Sequence, residues 1–275
     1  MNRSRRNPFF WLGMILLSLV FIFPIGYMML TAFKTRVESQ AVPPTVFPKM
    51  PTLGAFRTLL FVDDASPVFR WLANSAIAAT LFALLSVTIC AMAGYALARM
   101  TFRGRDALFK LIIATMFVPG FVFLMPNFEL MSRLQWLDSF QALVIPGAAS
   151  AFGMFFMRQF FLGLPFELEE SARIDGAGPF RTFFSIVLPN ARPAIMTLLV
   201  LQFLANWNDF IWPLYTMFSD TMLTLPIGLA RLQGAYTIDY PVVMAGATIA
   251  AVPVLILFVA LQRYIIQGVA SSGLK

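Results

Sequence analysis

Residues 163–192 read GLPFELEESARIDGAGPFRTFFSIVLPNAR. A connection of 30 residues is long for neighbouring helices, and long connections often carry function. Pro165 suits the first turn of a helix, and Glu167, Glu169 and Glu170 then lie near its positive N-terminal end. Gly176, after Asp175, is a natural C-terminal stop. Pro179 opens a second helix, and Pro189 ends it, because the residue before a proline disfavours the α region. The stretch thus predicts two short helices and a turn, with an apolar stripe of Phe166, Ala172, Ile174, Phe180, Phe183, Phe184 and Ile186. Such a stripe either packs under the chain's own helices or faces another protein.

What flanks this loop settles the fold class. A helix needs about 20 apolar residues to cross the hydrocarbon core. Apolar stretches near residues 9–33, 71–98, 109–130, 139–160, 193–215 and 240–264 predict six transmembrane helices, hence an all-α polytopic membrane protein. Pro24, Pro119, Pro146 and Pro253 fall inside them, where neighbouring helices can satisfy the freed carbonyls. Ala76, Ala78, Ala79, Ala83, Ala91, Ala93 and Gly94 give the second stretch a small-residue surface for close packing. The basic start Asn2–Arg6 resembles a signal peptide, but the uncharged run Phe9–Phe33 is 25 residues, longer than a signal core, and reads as a retained first span.

Composition agrees. Hydrophobic residues make up 59% and charged residues 12%, against about 25% charged in soluble domains. Of the 20 Lys and Arg, 13 lie in 1–8, 99–110, 158–192 and 263–275, which places both termini in the cytoplasm. The net charge of +7 therefore marks orientation, not a nucleic-acid partner. Histidine is absent and Cys90 is the only cysteine, so no disulfide framework, Cys/His metal site or Ser-His pair is available. Lys34, Lys49, Lys110 and Lys275 all lack a preceding glycine, which excludes a phosphate-binding loop and an ATPase role. The outer loop 34–70 starts extended at Pro43, Pro44, Pro48 and Pro51, with a short helix expected around Gly54–Leu60. It is an ordered connector or a dock for an outer partner.

Glu170-Ser171-Ala172, Gly176 four residues later, residues 177–185 as a nine-residue spacer, and Ile186-Val187-Leu188-Pro189 together resemble the EAA motif of ABC importer permeases. Ser171 replaces the family's first alanine, a small-for-small change. The fuller run Glu169–Ala177 is similar to the carbohydrate-permease version. Asn206-Trp207-Asn208-Asp209-Phe210 resembles the signature in the fifth span of those permeases. The segment Gln262–Gly268 resembles the tail of the maltose-type inner subunit, although the glycine that usually follows the last lysine is missing here.

The resemblance implies a sugar-importing permease subunit with no catalytic residues, metal or cofactor of its own, ATP and Mg²⁺ being bound by a partner ATPase. It implies a dimer of ATPase subunits, a second permease subunit of paralogous type, an extracytoplasmic solute-binding protein, and membrane lipid as surroundings. Glu169, Glu170, Ser171, Ala172, Asp175, Gly176, Phe180, Ile186, Leu188 and Pro189 would form the ATPase-coupling loop, with Gln267 in the tail 267–275 as a further contact. Glu170 would accept hydrogen bonds in the first turn or pair with a basic group of the ATPase, and Arg99, Arg103 and Arg105 read as orientation charges.

An acid in the membrane costs about 2.5–3.5 kcal/mol, so Asp209 should face the protein interior, water or a partner. Asn206, Trp207, Asn208 and Asp209 form a candidate solute path, with Trp207 or Trp212 offering an aromatic face; the alternative places Asp209 and Trp212 at the outer interface. Asn74 and Ser75 read as a cap or interface pair. A permease for a non-sugar solute, such as a glycerol phosphate, peptide or amino acid, is the competing function. An ion-coupled transporter would need more intramembrane ionisable groups than Asp209.

Overall fold

The computed structural model describes residues 8–62, 67–232 and 239–272, with side chains described up to residue 262. Every regular element among these residues is helical. The chain divides into two compact units, residues 1–69 with 228–253, and residues 70–227 with 254–275.

In the first unit, α1 (Pro8–Ala32) has no charge and buries only Thr31 and Ala32, as suits a helix bathed in hydrocarbon; Pro24 lies inside it. The outer loop that follows is ordered by polar contacts. Lys34, 2% exposed, donates to the Thr45 carbonyl and lies 4.8 Å from the centre of the Tyr27 ring. The Glu38 carboxylate accepts from the Thr45 hydroxyl at 2.9 Å and the Lys49 N–H at 2.8 Å. The expected short helix is present: α-helical Gly54–Arg57 runs on into a π-helical turn, Thr58–Val62.

The second unit is built on α2 (Val68–Arg99), 32 residues without a proline and so about 48 Å long. It is followed by α3 (Arg105–Thr115), a 3₁₀ turn Gly120–Phe123, α4 (Leu124–Arg133), α5 (Phe140–Val144) and α6 (Ala151–Leu162). Next come α7 (Glu167–Ile174) and α8, a helical run over Pro179–Asn190 with a π turn at Phe183–Val187. Then follow α9 (Arg192–Trp207) and α10 (Ile211–Thr216), whereas α11 (Leu225–Arg231) and α12 (Tyr240–Ser272) each have residues in both units. The small residues of α2 bring α6 close. A Cβ on Gly94 would lie 2.9 Å from the Arg158 nitrogen and the Met157 Cβ, and one on Gly153 would lie 2.7 Å from the Cys90 sulfur. The core closes around Tyr95, Phe161, Phe183 and Leu198, so α2, α6, α8 and α9 share one apolar centre.

Among the described residues three helices, α1, α2 and the Tyr240–Gln262 part of α12, are each long and apolar enough to cross a bilayer alone. The other expected spans are broken. The third bends by 94° between α3 and the turn at Gly120, where Pro119 lacks an N–H for the helix ladder. The fourth is interrupted after α5 by Pro146 and by Gly147 at φ +80°, and restarts with the Ser150 hydroxyl capping Gly153 N–H. The fifth stops at Trp207, where the Asn208 side chain turns back onto the Leu204 carbonyl, and restarts at Ile211. Pro165 precedes α7 instead of joining its first turn. Pro189 does not end α8, which continues to Asn190; the bend of 79° into α9 comes after it. At the C-terminal end α12 runs beyond the expected limit at 264 to Ser272.

Candidate coupling loop and solute cleft

The loop 163–192 owes its shape to hydrogen bonds that its sequence prescribes. After α7 the chain turns through Gly176 at φ +78°, where the Gly176 N–H reaches the Arg173 carbonyl at 3.0 Å and the Ala177 N–H reaches Ala172 at 2.9 Å. This is a Schellman cap: the spacing from Ala172 to Gly176 is the distance from the last full turn to the residue that must be left-handed. No heavy atom crowds the Gly176 Cβ position, so its constraint is conformational, not steric.

The expected stripe splits into two faces. Ala172, Phe183 and Val187 are buried against the core. Ile174 (86% exposed) and Phe180 (76% exposed) point outward, and Phe184 is exposed on one side while its ring packs edge-on against Phe183 at 4.9 Å. Glu170, Ser171, Asp175 and Pro189 are exposed, and Ile186 and Leu188 are half-buried. Glu169 behaves unlike its neighbour Glu170. It is 2% exposed, accepts from the Tyr95 hydroxyl at 3.1 Å, and its Oε1 lies 3.1 Å from the Arg99 Nε. That last approach is ionic and off the N–H direction. Arg99 also donates through Nη2 to the Phe161 carbonyl at 2.7 Å and to the Leu164 carbonyl. The Arg99 and Arg173 guanidinium groups lie 5.6 and 5.7 Å from the centre of the Phe166 ring. The side chain of Gln267 lies outside the described residues.

The three helix breaks meet at a second place. A cleft of about 410 Å³ is lined by Gly120 and Asn127 of the first break, Leu143, Pro146 and Gly147 of the second, and Asn206, Asp209 and Trp212 of the third, with Phe82 and Phe121. Non-helical backbone at membrane depth is tolerated where it lines a cavity or is buried in protein. The Asn206 amide donates to the Leu143 carbonyl at 3.0 Å, and Asp209 Oδ1 accepts the Trp212 backbone N–H at 3.4 Å. Of the four expected path residues, Asn206 and Asp209 line the cleft; Trp207 is buried, stacked on Phe203 at 5.6 Å, and Asn208 is turned onto its own helix. Among the lining residues there is no lysine or arginine.

Residues 90–271 match the model of the family described as binding-protein-dependent transport system inner membrane component. The chain belongs to that family. It is 34% identical to the arabinooligosaccharides transport system permease protein AraQ of Halalkalibacterium halodurans over the full length of both chains, and 36% identical to the AraQ protein of Bacillus subtilis over 95% of this chain and 93% of that one. It is 31% identical to the sn-glycerol-3-phosphate transport system permease protein UgpE of Escherichia coli over 98% of each. A chain in the crystal structure of a bacterial ABC transporter involved in the import of the acidic polysaccharide alginate shares the fold, with a TM-score of 0.82 at 24% identity over 96% of this chain and 98% of that one.

The protein is thus a membrane-embedded permease component of a binding-protein-dependent transport system. Two features of this permease escaped the sequence reading. Tyr95 and Arg99 are four residues apart on α2 and so share a face, yet Arg99 was read as an orientation charge, and its buried bond to Glu169 spans 70 residues of sequence. Asn127 carried no motif; its signal was its place about two turns after the Pro119-Gly120 pair.

Proposed function

We propose that this chain is the permease subunit of an ABC importer that carries a sugar or oligosaccharide across the inner membrane. Six spans, namely α1, α2, the α3–α4 pair, the α5–α6 pair, the α9–α10 pair and α12, bring both termini to the cytoplasm. The carrying observation is the α7–α8 loop, fixed from below by buried Glu169 and Ala172 while Ile174 and Phe180 stand exposed. An apolar pair held out by its own scaffold suits insertion into a socket on a separate ATPase subunit. A dimer of that ATPase binds ATP and Mg²⁺; this chain binds no cofactor. ATP binding favours the closed ATPase arrangement, and closure draws the coupling loops of this chain and a paralogous permease subunit together. The spans then rock between inward- and outward-open states as packed bodies. An extracytoplasmic binding protein delivers the solute. Gln267, in the C-terminal part of the chain, adds a contact to the ATPase.

The cleft supports a neutral polyhydroxylated solute. Asn127, Asn206 and Asp209 offer hydrogen-bonding groups to hydroxyls, and Phe82, Phe121 and Trp212 offer ring faces. A glycerol phosphate, suggested by the name of the UgpE relative, would meet the Asp209 carboxylate with no cation among the lining residues to offset it. The tagged chain, purified from membranes and reconstituted with its binding protein, should bring a P-loop ATPase and drive ATP-dependent oligosaccharide uptake. A purified complex without an ATPase would overturn the importer reading; uptake of phosphate esters but not of sugars would overturn the solute class alone.

A further inference from the structure

The α2 helix is tied down at both ends. At one end Tyr95 and Arg99 both hold Glu169 of α7, and Arg99 also holds the carbonyls that lead out of α6. At the other, Trp71 Nε1 donates to Asp220, Asn74 Nδ2 donates to Thr221 and Leu223, and the Ser75 hydroxyl accepts the Leu225 N–H, all within 2.8–3.0 Å. Between these clamps the helix has no proline, whereas the bent pairs around it turn by 94° and 79°. Glu169, 2% exposed, cannot slide away from the Arg99 guanidinium without leaving a buried carboxylate unpaired. A shift of α7 must therefore carry the end of α2 with it, and an uninterrupted helix has no break at which to absorb that shift.

We propose that Glu169 is a positioning residue, the joint that passes motion of α7 to α2, and that α2 carries it as a rod to the segment 220–225. This rests on α7 being the ATPase contact. The test uses the transporter purified with its own ATPase and reconstituted. Thr221→Cys in a Cys90→Ala background is labelled with a membrane-impermeant maleimide, with and without a non-hydrolysable ATP analogue. Glu169→Gln keeps the size and an acceptor for Tyr95 but removes the charge. The expected result is a nucleotide-dependent labelling rate in the parent, loss of that dependence in Glu169→Gln, and an ATP-per-solute ratio at least threefold higher at equal ATPase content. Should Glu169→Gln fail to reach the membrane, Tyr95→Phe is read by the same two measurements, with a smaller change in the same direction. An unchanged nucleotide response and an unchanged ratio overturn the joint while the ATPase still co-purifies; a parent complex without an ATPase overturns the coupling-loop reading instead.

Discussion

The indole N–H of Trp212 donates to the carbonyl oxygen of Ala142 at 2.8 Å. Within a helix that carbonyl would receive the N–H four residues on, but residue 146 is a proline. The Leu143 carbonyl, left free by the Gly147 turn, is taken by the Asn206 amide at 3.0 Å. Two of the carbonyls orphaned by this break are thus satisfied by side chains on either side of the break after α9. Trp212→Phe keeps an aromatic six-membered ring but removes the pyrrole ring with its donor, so it should destabilise the purified protein by about 1–3 kcal/mol. Pro146→Ala, which restores a donor at residue 146, should cancel part of that loss in the double variant. An unaltered melting temperature in Trp212→Phe would show that this bond does not hold the break together.

Asp209 lines the cleft beside Asn206 and Trp212. Asp209→Asn preserves shape while replacing a charged acceptor. If solute hydroxyls bind there, the loss of a charge-assisted hydrogen bond, about 1.5–3 kcal/mol, should raise the KM for uptake about 10-fold or more, at unchanged membrane levels. Uptake kinetics identical to the parent would place the solute elsewhere.

The left-handed Gly176 makes a graded prediction. Alanine there meets no atom, so its cost is the backbone conformation, about 1 kcal/mol; asparagine tolerates that conformation better. Proline cannot reach φ +78° at all. Transport per ATP hydrolysed should therefore fall in the order Gly, Asn, Ala, Pro. Normal coupling in Gly176→Pro at normal membrane levels would show that the turn is dispensable.

Close packing between α2 and α6 gives a stability prediction. The Cβ of Gly94→Ala would sit 2.9 Å from the Arg158 backbone nitrogen, an atom that cannot swing aside. The helices must separate, at about 1–3 kcal/mol, visible as a lower melting temperature in detergent. Equal stability of the two forms would mean that the crossing is looser than described.

Much of this was legible in the sequence, because the lipid environment and the cap of α7 are both written in local residue order. Apolar stretches located the long helices α1, α2 and α12, and Ala172 with Gly176 located the cap. What was not legible is how a broken span bends in space. Pro24, followed by Ile25, lies within an uninterrupted α1, whereas Pro119 and Pro146, each followed by a glycine, stand at breaks; the Pro-Gly pair marks a break but not how the chain bends there. The bend is held by distant partners, such as Trp212 for the Ala142 carbonyl that Pro146 leaves free, and these are fixed by packing. Glu169 and Glu170 are likewise neighbours of one type, separated into an inner anchor and an exposed group only by which side of α7 meets Arg99.

Asp138, in the loop between α4 and α5, extends this to pH. Its Oδ1 accepts the N–H groups of Phe218 at 2.9 Å and Ser219 at 3.2 Å, and its own N–H reaches the Thr216 carbonyl at 2.8 Å. Burial pushes the carboxyl up, but the Ser219 side chain and the two N–H groups outweigh it and hold the group below its ordinary value of 3.8. A carboxyl whose folded value is depressed contributes stability that is complete above its unfolded value and is lost as pH falls through the folded one. The clip between this loop and residues 216–219 should therefore hold unchanged from neutral pH to about pH 5 and loosen below about pH 4. Hydrogen exchange at the Phe218 and Ser219 amides, followed against pH and corrected for intrinsic rates, reads this directly. Asp138→Asn should lower protection at neutral pH and flatten the acid dependence. Protection that fell on raising the pH, or an acid response equal in both forms, would remove the carboxylate as the holding group.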